Sequence, residues 1–362
     1  MERLYFLDNL KTCIVVLMVV FHAAMSYMAY APEWWYVLDG DSSLVGTVFV
    51  LWADVFIMPV MFFVAGYFAL PSLARHGRIG FWRKKGVHII LPWLVGALVC
   101  APYIAYLTIA SRPNPMDFPT FYIQLFWGIF YQQAHYWFLG FLCALYGVLF
   151  LAVCWCPSIL QRRCECQPIW KSLVLVLVGS VISMTVVNVY ISDDAWIHPL
   201  YILVFQPTRV LLYVLYFALG AYAWRGQWFA AFMPWRTCWG CSFLVMSVVY
   251  VLFRLGVFGA FMPLETIVVH AVLHNLFCLT AVMALVAWFQ AYVAFASPLW
   301  RQSAALSYPV YYVHQFAVQH LVWLFRDTGW PLGIKYIAVC ILALGISWWF
   351  SKIVLKKLPC FS

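Results

Sequence analysis

Residues 10–31 read LKTCIVVLMVVFHAAMSYMAYA. Apart from Lys11 at the start and His22 inside, the stretch carries no titratable cation or acid. Its length suits an α-helix that crosses a bilayer, which takes about 20 residues. This reading makes the chain a membrane protein and puts an imidazole inside a membrane helix. Such a group is retained mainly where it faces a cavity, pairs with another group or does chemistry. The ending Ala29-Tyr30-Ala31 resembles a signal-peptide cleavage site. Glu2 and Asp8 spoil the basic leader that such a peptide needs, so the stretch reads as a retained first helix.

The composition agrees. Of 362 residues, 66% are hydrophobic and only 9% are charged. A soluble domain of this size carries far more charge. The 20 Trp and 22 Tyr suit interfacial belts. The net charge of +9 does not point to nucleic acid, because the basic residues sit in short loops between apolar windows. Those windows, bounded by Pro, Gly and charge, fall at about 10–31, 44–71, 87–110, 135–156, 173–191, 203–224, 238–258, 264–293, 303–325 and 335–355. The expected fold is an all-α polytopic membrane protein of about ten transmembrane helices. It forms one domain over residues 1–362 with no extramembrane domain.

With the N-terminus in the cytoplasm, most of the 21 Lys and Arg fall on the inner side: Arg3, Lys11, Arg75, Arg78, Arg83, Lys84, Lys85, Arg162, Arg163, Lys171, Arg225, Arg236, Arg301, Lys352, Lys356 and Lys357. The outer loops hold acids such as Glu33, Asp39, Asp41, Asp117, Asp193 and Asp194. This bias predicts an N-in, C-in topology.

Several polar groups recur at similar depth. His22, Asp54 and His314 lie well inside their windows, and His270 and His274 share one helix face. Asp54 can pair with an arginine, and Arg209 and Arg254 can snorkel to the interface. No carboxylate accompanies the two histidines at metal-ligand spacing, so no metal is expected. Cys154, Cys156, Cys164 and Cys166 fit no common zinc pattern. Cys238-Trp-Gly-Cys241 lacks the βαβ setting of a redox pair. A basic inner loop below converging polar groups describes a path with an anion-binding mouth. A transporter and a transmembrane group-transfer enzyme both fit it.

Four motifs bear on that choice. They are Arg3-Leu-Tyr-Phe-Leu-Asp-Asn-Leu-Lys11 followed by Phe21-His22, Phe62-Phe-Val-Ala-Gly-Tyr-Phe68, His135-Tyr-Trp-Phe-Leu139, and Ser307-Tyr-Pro-Val-Tyr-Tyr-Val-His314. In order and spacing they resemble the acyltransferase-3 family of integral membrane O-acyltransferases, which modify surface and periplasmic glycans. The resemblance implies that His22 is essential. It places Lys11 where the family has a supporting arginine, Lys85 and His88 where it has an R-x-x-R donor pair, and Ala65 where it usually has serine.

The implied enzyme uses acyl-CoA, with acetyl-CoA as first choice. Its phosphates would meet Arg83, Lys84, Lys85 and His88 at the cytoplasmic mouth. His22 would act as general base or acyl carrier, helped by Lys11 or Asp8. His135, Tyr136, Trp137 and His314 would bind the acceptor. That acceptor is expected to be a glycan such as lipopolysaccharide O-antigen, beyond a bacterial inner membrane, with the lipid bilayer as the other partner. The alternatives are a succinyltransferase of periplasmic glucans within the same family, and a secondary transporter of an organic anion or lipid-linked intermediate.

Overall fold

The structure, a computed structural model, describes residues 3–361 apart from 33, 114, 162–168, 232 and 234. Glu33, Arg162, Arg163, Cys164 and Cys166 therefore lie outside the described residues. The helices are α1 Tyr5–Met25, α2 Leu44–Ala53, α3 Ile57–Lys85, α4 Leu91–Val95, α5 Ala101–Ala110, α6 Phe118–Thr120, α7 Trp137–Trp155, α8 Ile169–Tyr190, α9 Val210–Arg225, α10 Arg236–Arg254, α11 Pro263–Tyr292, α12 Pro298–Arg326 and α13 Leu332–Ile353. Among the described residues, extended pairing is confined to two isolated bridges, Met28 with Ser43 and Ile197 with Phe205.

Seven helical runs among the described residues are long and apolar enough to cross a membrane, and the chain is a multi-pass membrane protein. One of them, Leu44–Ala110, has 67 residues and covers both the second and the third expected span. At 1.5 Å per residue 67 helical residues would come to about 100 Å, more than two bilayer crossings, and the run is broken at 54–56 and at Gly77. The expected sixth span is shorter than foreseen, since α9 has 16 residues. The ninth lies within α12, where Gln302, His314, Gln315, Gln319 and His320 dilute the apolar character.

α1 is the central helix. It packs against α2, α3, α11, α12 and α13, as a helix apolar on nearly all sides must. Its one buried amide, Asn9, donates to the carbonyls of Val293 (2.7 Å) and Phe295 (3.0 Å), closing the open end of α11. The helix starts five residues earlier and ends six earlier than the apolar window. After Met25 the chain turns back on itself: Ser43 N donates to Tyr27 O (2.8 Å), and Asp39 N donates to Ser26 O (3.1 Å). The small and aromatic residues 26–31 extend the apolar window without extending the helix. His22 consequently sits in the last turn of α1, not at its middle.

The second window is also interrupted. α2 stops at Ala53, and Asp54, Val55 and Phe56 form a turn before α3 begins. Further on, Pro92 cannot donate to the carbonyl four residues back. That carbonyl, of His88, accepts the Tyr308 hydroxyl instead (2.8 Å), and the carbonyl of Pro92 accepts Tyr312 (3.0 Å). The backbone around Pro92 relaxes into π-helical turns at Gly86–Ile90 and Gly96–Cys100. In the loop before α6, Asp117 accepts the Thr120 amide (3.0 Å), which holds its carboxyl below the usual range.

Candidate active site

The segment between α1 and α2 lies over the end of α1 and is pinned to α13. Lys335 Nζ lies 3.1 Å from Asp39 Oδ1 and 3.4 Å from Asp41 Oδ2, and it donates to the Arg326 carbonyl (2.9 Å). Both Lys335 and Asp39 are buried. Lys335→Met leaves the Asp39 carboxylate buried without its partner, which costs more than losing the whole pair. It should lower the thermal midpoint. Adding Asp39→Asn should recover part of the loss, and equal midpoints for single and double variants would exclude the coupling.

The pinned segment carries Trp35, whose ring stacks on His22 at 5.7 Å. Its indole N–H donates to Ser26 Oγ (3.0 Å). On the other side His22 Nδ1 lies 2.8 Å from Nε2 of His314, and His314 Nδ1 lies 2.6 Å from the Tyr311 carbonyl. These contacts fix the protons. A carbonyl only accepts, so His314 Nδ1 carries hydrogen. In a neutral ring its Nε2 is then bare and accepts from His22 Nδ1. That leaves Nε2 of His22 with its lone pair free. His314 is fully buried behind His22, while His22 lines a cavity of about 880 Å³. The His22 imidazole is thus oriented by a second group, which is oriented by a third.

The cavity gathers the C-terminal end of α1, the start of α3, the start of α9 and the loops beside them. Trp34, Trp35, Trp137 and Trp196 give it aromatic walls, and Gln132, Gln133, Gln206 and Gln315 give it amides. Arg209 is buried at its side and donates to Asp54 Oδ2 (2.6 Å), with Asp193 Oδ2 at 3.5 Å. The expected snorkelling of Arg209 is therefore corrected: two carboxylates hold it inside. The break after α2 is what brings Asp54 to it.

The expected site residues separate into four groups. His22, His135 and Trp137 line the cavity. His135 donates from Nε2 to the Tyr312 carbonyl (3.1 Å), and its Nδ1 is buried with no partner among the described residues. Tyr136 and His314 are buried and do not line the cavity. Tyr136 donates to the Tyr312 carbonyl (2.8 Å), with its ring filling the gap left by Gly96. Both sit behind the cavity wall. Tyr311 lines the cavity itself, its hydroxyl donating to the His135 carbonyl.

Asp8 and Lys11 lie fourteen and eleven residues before His22 on one helix, about 21 and 16 Å along its axis. Neither reaches the imidazole, which His314 and Trp35 contact instead. Asp8 pairs with Arg3 instead (2.8 Å). Arg83, Lys84, Lys85 and His88 gather at and just beyond the C-terminal end of α3, and none of them lines the cavity. Arg83 and Lys84 are exposed. Lys85 Nζ lies 4.0 Å over the Tyr146 ring, and His88 Nδ1 donates to the Cys360 carbonyl (3.1 Å).

His270 and His274 surround the Tyr250 hydroxyl, each at 3.4 Å. Among the described residues no three His, Cys, Asp or Glu side chains are grouped to hold a metal ion. Trp35 was not foreseen as a site residue. The only signal was a Trp pair after Pro32 in an outer loop, and loops commonly carry function.

Residues 4–352 match the acyltransferase-3 family, described as an acyltransferase domain. The chain is 26% identical over 244 residues to "Glucans biosynthesis protein C" of Salmonella gallinarum, a match covering 61% of this chain and 58% of that protein. It is 29% identical over 93 residues to the protein of the same name from Escherichia coli K12, covering 26% of this chain and 23% of that protein. The chain thus matches less than two thirds of the length of either relative. No solved structure matches it.

Proposed function

We propose, from the premise that this chain belongs to the acyltransferase-3 family, that it moves a short acyl group from cytoplasmic acyl-CoA to a hydroxyl of a glycan beyond the inner membrane of a bacterium. The family makes it an acyltransferase; the donor, the acceptor and the residue roles are our reading. The observation that carries this reading is the free Nε2 of His22 at a cavity walled by indoles and amides, which suit the C–H faces and hydroxyls of a sugar. The name of the relatives favours a glucan over lipopolysaccharide as acceptor.

In the proposed reaction His22 Nε2 takes the proton of the acceptor hydroxyl. The oxygen attacks the thioester carbonyl, the ester forms, and the C–S bond breaks. The thiolate leaves as coenzyme A and recovers the proton from the imidazolium. With both ends of the chain in the cytoplasm, the basic end of α3 faces the donor and the His22 cavity faces the acceptor. The acyl group is acetyl or succinyl.

The test uses membranes containing the protein, supplied with isotope-labelled acetyl-CoA or succinyl-CoA and a β-glucan. Labelled ester on the glucan, read by mass spectrometry, is expected. Its absence with both donors and with lipopolysaccharide overturns the reading. Charge reversal at the donor end, Lys84→Glu with Lys85→Glu, should raise KM for acyl-CoA severalfold with little change in kcat, because two phosphate-attracting charges become repulsive. An unchanged KM removes this pair from the donor site.

A further inference from the structure

A second cavity, of about 470 Å³, adjoins the first. Arg254 and Asp194 line both. Arg254 ends α10, and its Nη1 donates to the Tyr250 hydroxyl (3.1 Å) and to His270 Nε2 (3.2 Å). Among the described residues no carboxylate lies within ion-pair distance of it, although Arg209 nearby holds two. Both hydrogen bonds that Arg254 makes to described residues run from Nη1, and a guanidinium has five N–H donors. An arginine in that state, at the waist between two cavities, has donors to offer to whatever passes it.

The far side is built for a polar guest with flat apolar faces. Asn188, Ser192 and Thr266 supply hydroxyl and amide groups, and the rings of Phe253 and Phe261 meet at 6.0 Å beside them. Gly256 and Gly259 turn the chain from α10 to α11 with φ of 73° and 83°, a left-handed backbone that keeps side chains out of the groove. Asp194 and Arg254, of opposite charge, both line the waist, so a neutral chain fits it better than a polyanion or polycation.

The geometry points to a distal acceptor subsite: the second cavity seats the sugar units next to the one acylated at His22, and Arg254 hydrogen-bonds the chain at the waist. The acceptor is thus an oligosaccharide or polysaccharide read over several units, not a single sugar. This rests on the glycan acyl-transfer reading above.

The experiment offers wild-type membranes glucose and β-linked glucose oligomers of increasing length, and measures kcat/KM for each by ester formation. Binding of the same oligomers is measured separately, without donor, by calorimetry on the purified protein. The wild type should favour oligomers over glucose by about tenfold, the worth of one or two added hydrogen bonds. Ser192→Trp and Thr266→Trp, which fill the second cavity from the segment after α8 and from α11, should bring that ratio close to one in both measurements. Ester formation on glucose reports that each variant is folded. A wild-type ratio near one, or a full preference retained in both filled variants, overturns the subsite. Length-dependent binding that the filled variants abolish, without ester formation, upholds the subsite and sinks the transfer reading instead.

Discussion

His22→Ala should lower kcat for acyl transfer by about 10²–10⁴-fold, the range for removing a positioned general base. The protein should still insert and fold, because the ring lies at the cavity and makes one hydrogen bond among the described residues, to His314. The loss should fall on kcat more than on KM, since the imidazole acts on the proton in flight and binds little of the acceptor in the ground state. His314→Asn tests the relay behind it. His314 does not line the cavity, so KM should hold while kcat falls, by less than in His22→Ala. A His22→Ala protein at normal abundance with undiminished ester formation refutes the base assignment. Unchanged kcat in His314→Asn refutes the relay alone.

Gly220→Leu should leave little folded protein. α3 and α9 cross with their backbones in contact: a Cβ at Gly220 would lie 2.0 Å from the Phe63 carbonyl oxygen, and one at Gly66 would lie 1.9 Å from that of Phe217. The obstacle is backbone, so no side-chain rotation relieves it and the helices must part. Small residues at such crossings let membrane helices approach closely. Overpacking costs about 1–3 kcal/mol where side chains can yield, and about 3 kcal/mol or more is expected where they cannot. Gly66→Ala should already be destabilised. Gly147→Ala in α7, where a Cβ meets nothing within 4 Å, should behave as wild type. Detergent-solubilised protein heated in steps and assayed for monodisperse protein reads all three. Equal midpoints for Gly220→Leu and Gly147→Ala would show that this crossing does not hold the bundle together.

Much of this site was legible in order but not in depth. The phenylalanine-rich stretch ending Gly66-Tyr67-Phe68, the His135-Tyr136-Trp137 entry and the His22 segment each lie near the cavity or its supporting wall. Helical periodicity could not tell which of His135 and Tyr136 faces the cavity, because they lie on a 3₁₀ turn before α7. Nor could it foresee that His314 points at His22. That meeting joins residues 292 apart in the chain. Arg209 looked like a snorkelling residue because its partners, Asp54 and Asp193, come from an interrupted helix and a loop.

By itself the sequence determined that the chain lives in a bilayer, because apolar stretches this long leave no other solvent for its surface. It also predicts on which side of the membrane the basic loops lie, since short charged loops stay on the side where they are made. Tertiary structure alone decided where α1 ends, which nitrogen of His22 is free, and that Trp35 rather than Lys11 or Asp8 touches it. Those outcomes rest on hydrogen bonds and ring contacts between segments far apart in the chain, and local composition carries no record of them.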